Sequence, residues 1–207
     1  MSVARVYTVQ KSRTSKKGPR HCEHCKDLIP VGAAYRWFTV GFRSNWEHIR
    51  CMKSTCTPRQ SELESSRMSE VYAAQEDAEA NLNAMRGDPG ETDSIESEIE
   101  TFVEAIQELA SSYEETDQQF GGGGMTDNAQ RAEDLNAAAD ELDSFSVSED
   151  EPDLDQCQNE AHELDPTDPK YLERDAEQCD DCSQLRVEWW DNMVDEALDA
   201  MNNVSYG

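Results

Sequence analysis

The most specific chemistry in this chain is carried by its seven cysteines and four histidines. Cys22 and Cys25 form a C-x2-C pair, and after 22 intervening residues His48 and Cys51 form H-x2-C. Two ligand pairs at the ends of a short hairpin can surround one tetrahedral ion. Thiolates with imidazole are borderline-soft donors that suit zinc. The spacing leaves the fourth ligand open: Cys56, five residues beyond Cys51, can replace His48, and His21 or His24 can compete. The basic N-terminus has no apolar run behind it, so a disulfide framework is disfavoured and zinc is the better reading.

A second group lies near the C-terminus, where Cys157 and His162 precede Cys179 and Cys182. These four can form a Cys3His zinc site across the chain between His162 and Cys179. The alternatives are inert thiols with a solvent histidine, or a redox pair at Cys179 and Cys182. The redox reading lacks the βαβ pattern that would surround it.

The first group also carries a resemblance. Cys22, Cys25, Ile29, Gly32, a β-like stretch, and then Trp46, His48 and Cys51 resemble the zinc finger of the poly(ADP-ribose) polymerase (PARP) type, over residues 20–57. The resemblance implies Cys22, Cys25, His48 and Cys51 as ligands and DNA ends or breaks as the partner. It implies a finger and not a polymerase, for nothing resembles that family's catalytic domain. The layout of a finger followed by acidic helices is similar to small uncharacterised bacteriophage zinc-finger proteins.

The elements that must position these ligands follow from local pattern. Residues 34–40 are aromatic and β-branched, and 41–45 supply turn residues, which predicts a two-stranded hairpin between the ligand pairs. His48 and Cys51 would then open a short helix. So small a unit buries little apolar area, so bound metal would supply much of its stability. Arg36, Trp37, Phe38, Arg43 and Arg50, with Lys16, Lys17 and Arg20 in the preceding arm, form a candidate nucleic-acid surface. Bases would stack on the rings while cations meet phosphates. The competing reading makes the rings a small core and the arginines its solvated rim.

Charge divides the chain sharply. The net charge is −27, yet residues 1–59 hold 12 basic against three acidic residues, a net +9, and residues 60–207 carry −36. Such a step marks parts with different partners. Leu, Ile, Val and Phe number 32 of 207, about 15%, too few for one large core.

Past Pro58 the pattern turns helical. Leu63, Arg67, Val71, Ala74, Ala78, Leu82 and Met85 make a weak stripe over 60–86, ended by Gly87 to Gly90. Ile95, Ile99, Phe102, Ile106, Leu109 and Tyr113 make a stronger seam after a Thr92 or Asp93 cap. Ala132, Leu135, Ala139, Leu142 and Phe145 repeat it after Thr126, and the glycines 121–124 between them predict an antiparallel helical hairpin. Leu185, Trp189, Met193, Ala197, Leu198 and Met201 outline a last helix.

The expected fold is therefore mostly α. A basic flexible arm (1–19) and a β-hairpin zinc finger (20–58) precede an acidic coiled-coil hairpin region (60–146), a disordered acidic linker (147–178) and a C-terminal helix with its C-x2-C (179–203). No Ser/His/Asp set, phosphate-cradling loop or H-E-x-x-H helix is present, so neither catalysis nor a small-molecule substrate is expected. Expected instead are zinc, nucleic acid on 1–59 and a basic protein on 60–207. The acidic helices would act as adaptor or DNA mimic, or as a solvated face. With no apolar run long enough to span a membrane and no leader, a cytoplasmic protein is expected, in a host cell if viral.

Overall fold

The computed structural model describes residues 4–9, 19–40, 47–64, 66–119, 127–147, 152–163, 166, 170 and 179–206. The fold is mostly α, with a small strand-rich part at the N-terminus. The chain forms two compact units, Met1–Glu76 and Asp77–Gly207. Their formal charges are +6 and −33, so the division seen in sequence is also a division of the fold. No described helix is long and apolar enough to cross a membrane.

Unit 1 contains two small antiparallel sheets. In the first, β1 (Tyr7–Val9), β4 (Tyr35–Phe38) and β5 (His48–Arg50) lie in the order β1-β4-β5, with Tyr7 opposite Trp37 and Trp37 opposite Ile49. In the second, β2 (Arg20–His21) pairs with β3 (Leu28–Ile29). The β4–β5 pairing is the hairpin expected from the aromatic run; the turn expected over 41–45 lies outside the described residues. Two expectations are corrected here. Tyr7–Val9, assigned to a flexible arm, is a third strand on β4. His48 does not open a helix but begins β5, and the chain turns only later, in a 3-10 turn at Ser54–Cys56.

The single stripe expected over 60–86 is broken into α1 (Gln60–Leu63) and α2 (Met68–Ala84). Ser66 explains the break, because short polar side chains compete for backbone groups. Glu64 accepts the Ser66 N–H at 3.0 Å, and the Ser66 hydroxyl accepts the Met68 N–H at 3.2 Å, which starts α2 afresh. Arg67, placed on the stripe by sequence, is exposed, while Met68, Val71, Ala78 and Leu82 are buried.

Unit 2 is built on α3 (Thr92–Gln119), α4 (Asn128–Asp143) and α5 (Asp180–Asn203). All six residues of the α3 seam are buried, joined by Val103 and Ala110. Asn136 reaches Glu114, and the Val147 N–H donates to Glu96, so α4 runs back along α3 as an antiparallel partner. The glycines that connect them and Thr126 lie outside the described residues, and Phe145 is only half-buried.

On α5 the buried set is Cys182, Trp190, Met193, Val194, Ala197 and Met201. The inward tryptophan is thus Trp190, not Trp189. Its indole N–H donates to the Met85 carbonyl at 2.8 Å, which satisfies the ring's polar group while its bulk is buried. Gly87, in the left-handed region at φ 75°, turns the chain after α2 and donates its N–H to Asp191 on α5.

Candidate metal centres

Among the described residues, two groups bring four potential metal ligands within 4.8 Å of one another: Cys22, Cys25, Cys51 and Cys56, and Cys157, His162, Cys179 and Cys182. All seven cysteines are free thiols. The donor atoms are spaced for a shared ion rather than for bonding to each other. A tetrahedral ion with metal–sulfur bonds of about 2.3 Å and metal–nitrogen bonds of about 2.05 Å sets sulfurs about 3.8 Å apart and sulfur and nitrogen about 3.5 Å apart. Cys25 and Cys51 Sγ are 3.8 Å apart, as are Cys157 and Cys179 Sγ, and Cys182 Sγ lies 3.5 Å from His162 Nε2.

The first centre is positioned by a tight knuckle. The Cys22 N–H donates to Asp27 and the Lys26 N–H returns to Cys22, both at 2.9 Å, with Lys26 at φ 63° closing the turn. The Glu23 N–H donates to Ile49, so the knuckle is tied to β5, which delivers Cys51. Cys56 comes from the 3-10 turn, where its N–H donates to Lys53 at 3.1 Å. Ile29 and Tyr35 are buried with Cys22 and Cys56, and Val9, Trp37 and Ile49 pack against them.

The fourth donor in this group is Cys56, not His48. In a strand, residues three apart face opposite sides, whereas on a helix they share one. Ile49 and Cys51 therefore face the thiols, and His48 faces away with Arg50. The His48 ring stacks on Phe38, with centroids 5.1 Å apart, and its Nδ1 lies 2.9 Å from Glu23 Oε2. His21 is engaged elsewhere, with its Nδ1 at 3.2 Å from the Lys26 carbonyl. His24 sits outside the group with Nδ1 3.7 Å from Cys56 Sγ, where a ring N–H can support the thiolate without binding metal.

The thiols of the first group differ in their electrostatic settings. Burial opposes the Cys22 thiolate, but backbone N–H groups of Cys51, Cys25 and His24 aim at its sulfur and bring it down to about 6. At Cys25 the Asp27 N–H favours the thiolate, yet burial and the sulfurs of Cys22, Cys56 and Cys51 push it up to about 12. Burial likewise raises Cys51. The backbone N–H groups favour the thiolate at Cys22, and a cation among the sulfurs would favour it at Cys25 and Cys51.

The second centre hangs on a helix end. Cys179 and Cys182 sit at the start of α5, and two 3-10 turns, Leu154–Gln156 and Glu160–Glu163, deliver Cys157 and His162. The Cys182 N–H, and after it Asn159 and His162 side chains, outweigh burial and bring Cys179 down to about 6. Cys182 is pushed up to about 12 by burial and by the sulfurs of Cys157 and Cys179. Asn159, which spacing alone did not single out, both holds the turn, accepting the Ala161 N–H, and donates to Cys179 Sγ at 3.4 Å.

The candidate nucleic-acid residues separate into groups. Phe38, 1% exposed, and Arg50, 6% exposed, are internal: Arg50 lies over the Phe38 ring and pairs with Glu23 and Glu62. Neither is available to a ligand, which corrects their surface assignment. Arg20 pairs with Glu47 and lies over Tyr35; Arg36 donates to Lys53 O and Thr57 Oγ1; Trp37 is half-buried against Tyr7. Lys16, Lys17 and Arg43 lie outside the described residues. No protein-family model, curated protein or solved structure matches the chain, so its chemistry rests on these two centres.

Proposed function

We propose that both centres hold zinc in a structural role and that the metal-organised basic unit binds nucleic acid, DNA in the first instance, or another polyanion. The observation that carries the metal reading is the convergence of four donors within 4.8 Å in each group, with Cys25–Cys51, Cys157–Cys179 and Cys182–His162 at the separations of zinc-tetrahedron edges. Four protein ligands leave no open position for a reactive water, so the zinc orders the chain and catalyses nothing. The ligands of the PARP-type resemblance then reduce to Cys22, Cys25 and Cys51, with Cys56 in place of His48.

The polyanion reading is supported by the charge of the units, since the basic stretch 1–59 lies wholly within unit 1. A +6 unit attached to a −33 unit concentrates attraction for phosphates on one part of the chain. Elemental analysis of the purified protein tests the metal: two zinc ions per chain are expected, and one in Cys25→Ser. A DNA titration of the zinc-loaded protein and of fragment 1–76 tests the partner. Affinity that falls steeply with salt supports it, and no binding by either at low salt refutes it. In that event the acidic helices of unit 2 become the contact surface, and a basic protein is the partner.

A further inference from the structure

Among the described residues of unit 1, the most exposed aromatic is not part of its core. Tyr7 stands on β1, the edge strand, and stacks on Trp37 with centroids 4.7 Å apart and planes 19° from parallel. Trp37 is held from behind by the metal-centre core, and Ile49 flanks it across the sheet. Tyr7 itself remains 48% exposed, and Val6 beside it 38%. A ring already stacked on one side, anchored by a rigid support and open to solvent, has lost little freedom that a ligand would need to remove. Arg5, two residues earlier, is also exposed, and the Arg20 guanidinium lies 5.2 Å from the centroid of Tyr35, two residues before Trp37 on β4.

We infer that Tyr7, backed by Trp37, is a stacking platform for an unpaired base, so that unit 1 takes single-stranded nucleic acid in preference to duplex. The inference rests on the polyanion reading above and names its substrate class. Charge argues for a nucleic acid over an apolar partner, because the segment 1–59 that contains Tyr7 and Trp37 carries +9 in sequence. Base–aromatic stacking tolerates any sequence, since every base has a π-face, while paired bases within a duplex keep their faces covered.

The test compares three ligands of equal length on the full-length, zinc-loaded protein: a mixed-sequence single strand of DNA, its duplex, and an abasic strand with the same phosphates and no bases. The single strand should bind about tenfold tighter than the abasic strand, the size of one stacked base. Tyr7→Ala should abolish that difference, Tyr7→Phe should retain it, and neither should alter abasic binding or zinc content. Equal affinity for base-bearing and abasic strands, tighter binding of the duplex, or indifference to Tyr7→Ala in a protein that keeps its zinc overturns the platform while leaving the polyanion reading standing. Failure of all three ligands to bind at low salt overturns both.

Discussion

The two metal centres use similar donors in opposite settings. In unit 1 the four thiols lie within 35 consecutive residues and sit among strands of two to four residues, with a core of a few side chains around the sulfurs themselves. In unit 2 the centre is appended to a 24-residue helix whose other turns already bury Trp190, Met193, Val194, Ala197 and Met201. The difference teaches what an ion would do in each place. Bound as proposed, the first would replace a hydrophobic core too small to fold alone, and the second would fasten the 3-10 turns to a helix that other contacts hold.

The largest consequence is the response to metal loss. Chelation, or Cys25→Ser, should unfold β1 to β5 outright while leaving most helical circular dichroism intact, since the long helices belong mainly to unit 2. Loss of helical signal in step with loss of the Tyr7 and Trp37 resonances would erase the distinction between the centres. Next in size is Trp190→Ala. Removing this 1%-exposed ring should cost about 3–5 kcal/mol of unit 2 stability and leave the first centre's metal in place.

The smallest effect comes from the Arg86–Asp195 pair between the end of α2 and α5. The hydrogen bond from Arg86 holds the Asp195 carboxyl below its ordinary range. Its stabilisation is thus present above the unfolded carboxylate value of about 3.9 and is lost as pH falls through the lower folded value. Asp195→Asn should lower stability slightly at neutral pH, and the gap from wild type should close under acid; a gap that widens there would reverse the assignment. Exposure of the Asp195 side chain keeps the effect small.

Much of this was legible in the residues, and the exceptions have a common physical cause. The α3 seam was read correctly at every position because a long amphipathic period is strong and local. Cys22, Cys25, Cys51 and the whole second group were legible from spacing, since metal-ligand types are few. His48 was not, because i and i+3 share a face only on a helix and β5 is a strand whose identity depends on pairing with β4. Tyr7–Val9 was hidden for the same reason: three residues become a strand only when a distant partner is present. Trp189 and Trp190 are adjacent on α5, so the choice of the buried ring turned on one step of helical phase, which tertiary packing decided. Phe38 and Arg50 were assigned to the surface because sequence does not show Glu23 and Glu62 converging on the guanidinium.

The central claim is that the first centre is a four-thiol site from which His48 is excluded by the strand that carries it. Zinc content per chain, measured after dialysis for wild type, His48→Ala and Cys56→Ser, tests this most directly. Two ions are predicted in wild type, two in His48→Ala and one in Cys56→Ser. One ion in His48→Ala together with two in Cys56→Ser would contradict it and restore the histidine as the fourth ligand.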